Sequence, residues 1–211
     1  MSAHPALIAC DADVARGADW LCQQDPRWAV AIEPCAPLPL RLRSDGFAQL
    51  FSAIVSQQVS TASAAAIWAR VEAAGLAEET AVRVASEDAL REVGLSRQKI
   101  RYALALAQAE IDYDALRNVS SEHVIKTLTA VPGIGAWTAE IYAMFSLGHA
   151  DVFAPGDLAL QEAAKHLFKL PERPKEKALR DMAQDWSPWR SVAARALWAY
   201  YRVIKNREGI R

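Results

Sequence analysis

An apolar stripe with helical spacing crosses the chain between residues 47 and 59. The apolar positions fall at i, i+3, i+4, i+7, i+8 and i+12, namely Phe47, Leu50, Phe51, Ile54, Val55 and Val59. This spacing places the side chains on one face of an amphipathic helix. Similar spacing returns near the C-terminus, and no stretch alternates apolar and polar residues between hairpin turns. The pattern predicts an all-α protein of about ten short helices.

Serines and helix-breaking residues predict where several helices begin and end. Ser96 and Ser121 each precede an apolar helical pattern, so we expect both to be N-caps. A short helix is expected to begin at Ser86 and to stop at Gly94. The proline-rich run 34–40 predicts an extended crossover, because proline disfavours helix both at its own position and at the preceding residue.

Composition restricts the class of protein further. The chain has 211 residues, of which 52% are hydrophobic and 23% charged, so it fits one globular domain or two small lobes. It has no apolar run of membrane-spanning length and no signal-peptide pattern at its start. Its three cysteines, an odd number, predict reduced thiols and a cytoplasmic location, with nucleoid association if the source is bacterial.

The net charge of −1 hides an uneven distribution. Residues 165–211 contain 12 Lys and Arg but only 5 Asp and Glu. A basic segment of this kind is compatible with a polyanionic partner, but it also describes a solvated helix face followed by a charged tail.

The most informative local motif is Val-Pro-Gly-Ile-Gly-Ala-Trp-Thr-Ala at residues 131–139. Pro132 is expected to stop one helix, and Gly133 and Gly135 to adopt backbone conformations that a Cβ would forbid. Ile134 would fill the core between them. Such a hairpin directs backbone amides outward at the start of the next helix, where they can bind a phosphate without any charged side chain. The alternative is a helical corner with no ligand, since a bare Gly-x-Gly is a weak signal.

This motif and the loop after it resemble the helix-hairpin-helix DNA glycosylase superfamily. Asp-Val-Phe-Ala-Pro-Gly-Asp at 151–157 places Asp157 22 residues after Gly135. Within the superfamily the chain is similar to the alkylbase branch, of the 3-methyladenine DNA glycosylase II type. Three further stretches carry that likeness: residues 53–60, 94–99 and 186–191. The length fits the compact members, which lack the extra N-terminal domain of larger ones.

The resemblance implies two helical lobes with an active-site cleft between them. One lobe would span residues 45–150 and contain the helix-hairpin-helix; the other would combine residues 1–44 with 151–211. The implied activity is that of a monofunctional DNA glycosylase. It would excise cationic alkylated purines, such as 3-methyladenine and 7-methylguanine, by hydrolysis of the N-glycosidic bond in base excision repair. Two alternatives stay open: a non-catalytic helix-hairpin-helix protein that binds DNA, and a glycosylase for oxidised or mismatched bases.

The resemblance also implies roles for individual residues. Asp157 would be the catalytic carboxylate that stabilises positive charge on the sugar, although its position before a helix fits a plain N-cap equally well. The expected base pocket consists of Trp137, Tyr142 and Trp189, with indole faces that attract a cationic base. Expected contacts to DNA come from Gly133, Gly135, Thr138, Arg190 and the C-terminal basic residues, with Gln58 as the wedge that fills the space of a flipped base.

The resemblance and the residue types together give the expectations for cofactors. No cofactor is expected to be required, but the carbonyls of Thr129, Val131 and Gly133 would bind a structural Na⁺ or K⁺. No cysteine follows Cys35, which excludes the iron–sulfur cluster of some relatives, and the four histidines lack zinc-ligand spacing. Trp137 stands where the lyase members have a lysine, so no Schiff base with the sugar is expected. The expected partner is damaged double-stranded DNA, bound by a monomer without membrane association.

Overall fold

Thirteen α-helices and two 3₁₀ helices build the chain in a computed structural model that describes residues 6–207. The α-helices are α1 (Asp11–Gln24), α2 (Arg27–Ile32), α3 (Phe47–Ser56), α4 (Thr61–Ala73), α5 (Glu79–Val84), α6 (Glu87–Glu92), α7 (Arg97–Gln108), α8 (Tyr113–Leu116), α9 (Ser121–Thr129), α10 (Ala136–Phe145), α11 (Leu158–Phe168), α12 (Glu176–Met182) and α13 (Arg190–Arg207). The 3₁₀ helices are Glu33–Cys35 and Ala183–Trp186. Within residues 6–207 no β-strand forms beyond one isolated bridge. The all-α prediction is confirmed, with more helices than expected.

Serine caps define several of the helix starts. The Ser96 hydroxyl accepts a hydrogen bond from the Lys99 backbone N–H at 3.4 Å, and Ser86 caps α6 in the same way. The expectation for Ser121 is wrong by one residue. Ser120 has the extended backbone of a cap and accepts from the His123 N–H at 3.2 Å, so that Ser121 is already the first helical residue.

Residue contacts divide the chain into two units. Unit 2 spans Ser44–Tyr142 and contains α3 to α9 together with most of α10. The apolar stripe of α3 is buried here, and α3 packs on α4 and α7 while α5 and α6 also pack on α7. The predicted stripe is longer than the helix, because α3 ends at Ser56 and Val59 is 39% exposed.

Unit 1 combines Met1–Arg43 with Ala143–Arg211. Its long helix α13 contacts α1, α2 and α11. Four rings form an aromatic cluster beside these helices, with ring centroids 5.2 to 5.7 Å apart: Trp28, Phe153, Phe168 and Trp186. The predicted crossover is extended only in part, because Pro34 lies in a 3₁₀ helix.

Two further properties concern the described residues only. None of the helices within 6–207 has both the length and the apolar composition that a membrane span requires. The three cysteines are free thiols. His4 and Arg211, one of the four histidines and one of the basic C-terminal residues, lie outside the described residues.

Candidate active site

The hairpin between α9 and α10 is built around one glycine with an unusual backbone. Gly133 has φ +94°, and a Cβ added there would lie 2.4 Å from Cγ of Tyr102. Position 133 therefore excludes a side chain both by conformation and by space. Ile134 is 4% exposed, which confirms that it fills the core of the turn.

Gly135 differs from Gly133 in both respects. Its φ is not in the left-handed region, and a Cβ added there would meet no atom within 4 Å. The prediction that Gly135 needs a backbone forbidden to other residues is therefore wrong. Because Gly135 has no side chain, the space directly before the first residue of α10 is open. At this end of the helix the backbone N–H groups have no intrahelical partner.

The turn after α3 is linked to this hairpin. The Gln57 side-chain amide donates from Nε2 to the Gly133 carbonyl at 2.8 Å. The ammonium of Lys99, which is only 9% exposed, donates to the Val55 carbonyl at 2.6 Å, and burial lowers its pKa. Gln58 comes next, with φ 57°, a left-handed conformation uncommon for a residue with a side chain. Two anchored neighbours thus fix the backbone that carries Gln58, which is exposed.

Sequence reasoning missed Gln57 and Lys99. Lys99 is the last residue of the stretch 94–99 that carries the resemblance, and it directly precedes the apolar Ile100. A lysine next to apolar positions was the available signal for a buried ammonium group. No comparable signal separates Gln57 from Gln58, because the choice depends on which side chain reaches residue 133.

The carbonyls expected to hold a monovalent cation are partly engaged. The Val131 carbonyl accepts from the Ile134 N–H at 3.1 Å, and that of Gly133 accepts from Gln57. A carbonyl oxygen has two lone pairs, so these bonds leave coordination possible and the cation stays a prediction. No group of three or more His, Cys, Asp or Glu side chains within residues 6–207 is arranged to hold a metal ion.

The aromatic residues of α10 have contrasting environments. Trp137 is 49% exposed, and Thr138 beside it is half-buried. Tyr142 is 3% exposed; its hydroxyl accepts from the Gly46 N–H at 2.7 Å, and burial raises its pKa to about 12. Tyr142 therefore anchors the start of α3 and presents almost no ring surface to a base. Its predicted part in the pocket is not supported.

Asp157 in unit 1 is the N-cap of α11, as its position in the sequence predicts. Its Oδ1 accepts from the backbone N–H groups of Ala159 at 2.8 Å and Leu160 at 3.1 Å. The residue is half-buried between Gly156 and Leu158, both of which are exposed. The capping bonds thus fix the carboxylate of a partly exposed residue.

The loop that leads to Asp157 is held from the start of α13. The guanidinium of Arg190 donates to both oxygens of Asp151, at 2.5 and 2.9 Å, and the Ser187 hydroxyl donates to Asp151 at 2.8 Å. Burial alone would raise the pKa of Asp151, but the hydrogen bonds from Arg190 and Ser187 outweigh it and hold the pKa below its usual value. Arg190 is thereby bound to a carboxylate in a bidentate pair. The structure gives it a structural partner where the sequence analysis assigned it a DNA phosphate.

Two other side chains pin the same loop, and sequence reasoning identified neither. The buried hydroxyl of Ser191 lies within hydrogen-bonding distance of two carbonyls of this segment, those of His149 and, at 3.1 Å, Val152. The buried amide of Gln161 donates to the Pro155 carbonyl at 2.8 Å. Ser191 lies within the stretch 186–191, so its place in the resemblance was visible but its partner was not.

Trp189, expected in the base pocket, packs on α1. A Cβ added at Gly17 would lie 2.8 Å from Cε3 of its indole and 2.6 Å from Val192. The absence of a side chain at Gly17 therefore lets helix and indole approach closely. This contact accounts for Trp189 through helix packing, and it does not support a role in base binding.

Comparison with known proteins places this geometry in a family. Residues 51–188 match the model of the HhH-GPD superfamily base excision DNA repair proteins. DNA-3-methyladenine glycosylase 2 of Escherichia coli is 31% identical over 214 residues, which cover 92% of this chain and 73% of that relative. The matched share of the curated relatives differs widely, from 14% to 94% of their own length.

Two solved structures are similar over nearly the whole chain. The DNA-3-methyladenine glycosidase of Bacillus halodurans has a TM-score of 0.81 and 35% identity, covering 90% of this chain and 91% of the other. The 3-methyladenine DNA glycosylase Mag1 of Schizosaccharomyces pombe, solved with abasic DNA, has a TM-score of 0.73 and 26% identity, covering 87% and 95%. With the family model matching well over half of the chain, this protein belongs to the HhH-GPD superfamily of base excision DNA repair proteins.

Proposed function

We propose that this protein is a monofunctional DNA glycosylase that hydrolyses the N-glycosidic bond of alkylated purines, such as 3-methyladenine and 7-methylguanine, in double-stranded DNA. The observation that carries the proposal is the carboxylate of the partly exposed Asp157, fixed by two backbone hydrogen bonds at the start of α11. The names of the similar glycosylases support the same substrate class.

One fixed carboxylate suits this chemistry. Cleavage of the glycosidic bond leaves positive charge on the sugar, and a preorganised negative group stabilises that charge in the transition state. An N-alkylated purine already carries positive charge, so it leaves without a strong general acid. Asp157 would therefore stabilise the sugar while water completes the hydrolysis.

The proposal excludes a lyase reaction. That reaction needs an amine that forms a Schiff base with the sugar. Position 137 in the hairpin has an indole, and the ammonium of Lys99, also in unit 2, is buried against the Val55 carbonyl. We expect the reaction to stop at an abasic site.

Contacts to DNA would come from the hairpin and from the turn after α3. The open space at Gly135 allows a phosphate to approach the amides at the start of α10, where the helix dipole favours an anion. Thr138 would add a hydroxyl, and a Na⁺ or K⁺ at the hairpin carbonyls would add positive charge. The exposed Trp137 would stack on the cationic base, and Gln58 would enter the space that the flipped base leaves.

An Asp157→Asn variant tests the catalytic carboxylate without removing the cap. Asparagine accepts the same two backbone hydrogen bonds, so stability should change by no more than about 1 kcal/mol. Base release from a duplex that contains 7-methylguanine should fall by about 10²–10³-fold, because the negative charge is removed. The matched control is Asp112→Asn, which makes the same change at the N-cap of α8, where Asp112 accepts from the Ala115 N–H.

The outcomes separate the alternatives. Release that is unchanged in Asp157→Asn would remove the catalytic assignment. Tight DNA binding without release, for the wild type as well, would indicate the non-catalytic binding protein instead. A panel of duplexes with alkylated, oxidised and mismatched bases would reveal whether the excised lesion belongs to a different class.

A further inference from the structure

Four arginines of unit 1 lie close together, and the function proposed above uses none of them: Arg41, Arg43, Arg195 and Arg202. Arg195 donates from Nε and Nη2 to the Leu40 carbonyl at 3.2 and 3.1 Å, which places it beside Arg41. The guanidinium groups of Arg195 and Arg43 lie over the same Phe145 ring, 4.7 and 5.8 Å from its centroid. Arg202 follows Arg195 by seven residues on α13 and so lies on the same face of that helix. Burial, together with the charges of Arg202 and Arg43, lowers the pKa of Arg41, so we treat the four as one arginine cluster.

The buried member of the cluster supports the others. Arg195 is 1% exposed and donates to the carbonyls of Leu40, Ser191 and Met144, so its charge is solvated by dipoles and not by a carboxylate. Burial, together with the charge of Arg41, lowers its pKa to about 10. Arg195 thereby holds the segment that carries Arg41 and Arg43 against α13.

The segment itself has a strained backbone at its exposed arginine. Arg41 has φ 53°, a left-handed conformation that a residue with a side chain adopts at a cost. Its backbone is fixed on both sides, by the bonds to Leu40 and by the Arg43 N–H, which donates to the Phe145 carbonyl at 2.8 Å. Strain that the surrounding structure maintains is a common feature of binding sites.

No carboxylate among the described residues forms an ion pair with the cluster. Seven other arginines within residues 6–207 do pair with a carboxylate: Arg16, Arg27, Arg83, Arg91, Arg117, Arg180 and Arg190. Arg41, Arg43 and Arg202 are all exposed residues. Like charges gathered without a counter-charge repel each other, and an anion bound between them would relieve that repulsion.

We propose that the arginine cluster is a phosphate-binding site for the DNA backbone, with Arg41, Arg43 and Arg202 as the contacting groups and Arg195 as a positioning residue. Guanidinium groups match the geometry of phosphate oxygens through paired N–H donors. The exposed location suits a phosphate on a large, external ligand. The proposal rests on the proposed function in one respect only, the identity of that ligand as DNA.

The salt dependence of DNA binding tests the site directly. The double variant Arg41→Gln with Arg43→Gln is compared with the control Arg16→Gln with Arg91→Gln, which removes the same charge at exposed, carboxylate-paired arginines. Binding to a duplex with an abasic-site analogue is followed by fluorescence anisotropy across KCl concentrations. The slope of log affinity against log salt should become shallower by about 0.9 for each phosphate that the variant no longer neutralises, and the control should keep the wild-type slope.

A second variant protects the test against a folding failure. Arg41→Gly removes the side chain at a backbone conformation that glycine adopts freely, so it should fold at least as well as the wild type while lowering the slope. Slopes equal to the control in both variants would overturn the site, even if wild-type base release upheld the glycosylase. Lowered slopes without any base release would keep the phosphate site and reject the glycosylase. If the slope falls equally in the control, the change in salt dependence follows from net charge alone, and this result would also overturn the proposal.

Discussion

An alanine at position 133 would collide with the ring of Tyr102. The added Cβ would lie 2.4 Å from Cγ, 2.5 Å from Cδ2 and 2.8 Å from Cβ of Tyr102, and these ring and stem atoms cannot swing away as a chain end can. The backbone at φ +94° is a second obstacle. A left-handed conformation costs a residue with a side chain about 1–2 kcal/mol, and overpacking adds about 1–3 kcal/mol, so Gly133→Ala should lower stability by about 2–5 kcal/mol.

Gly135→Ala is the matched comparison, two residues away in the same turn. Its Cβ would meet nothing within 4 Å, and its backbone is not left-handed. Stability should therefore change by no more than about 0.5 kcal/mol. If a phosphate approaches there, the methyl group would interfere with a hydrogen bond to a charged group worth about 1.5–3 kcal/mol, which is tenfold or more in affinity.

Removing the ring separates the two costs of Gly133→Ala. In a Tyr102→Ala background the steric part should disappear and only the conformational part, about 1–2 kcal/mol, should remain. Urea unfolding followed by circular dichroism measures all four stabilities of this cycle, and anisotropy with duplex DNA measures affinity. The reasoning fails if Gly133→Ala costs the same with and without Tyr102, or if Gly135→Ala destabilises the protein as much as Gly133→Ala.

Two further predictions concern the loop before Asp157 and the exposed indole. Because the pKa of Asp151 is lowered in the folded state, its ionised form adds stability that is complete at neutral pH and is lost as the pH falls below about 4. The wild type should therefore lose stability more steeply in acid than Asp151→Asn. Thermal unfolding across pH measures this difference. Equal acid dependence of the two proteins would contradict the pairing with Arg190. Trp137→Ala should reduce release of 7-methylguanine by about 2- to 30-fold, corresponding to about 0.5–2 kcal/mol of cation–π attraction. An unchanged rate in single-turnover assays would argue against stacking.

The helical fold follows from local signals, and the structure shows which of these suffice. The α3 stripe, the Ser96 cap and the core position of Ile134 each depend on neighbours within one or two turns, which the sequence displays directly. The sequence does not indicate which of the adjacent residues Ser120 and Ser121 is the N-cap of α9, because that depends on where the backbone leaves the extended conformation. Asp157 is the most favourable case, since a cap and a partly exposed carboxylate are both local properties.

The assignments of Arg190 and Trp189, for which the structure shows other partners, share a physical cause: each partner lies far away along the chain. Arg190 binds Asp151, 39 residues earlier, and Trp189 rests on Gly17 in the first helix. Nothing in the local sequence distinguishes an arginine that binds a carboxylate from one that binds a phosphate. For the same reason, the sequence does not reveal that Arg41 and Arg43 lie close to the buried Arg195, without a carboxylate that forms an ion pair with them.

The paired and unpaired arginines of unit 1 suggest different parts in one reaction. A catalytic carboxylate stabilises charge in the transition state only if it does not have to reorient as the charge develops. The Arg190–Asp151 pair, Ser191 and Gln161 remove that freedom from the loop before Asp157, each by a hydrogen bond to a different residue. The pair with Asp151 occupies Nε and Nη2 of Arg190, so fewer of its donors are left for a phosphate. The exposed arginines of the arginine cluster have no carboxylate partner among the described residues, so their positive charge is available to a polyanion such as DNA.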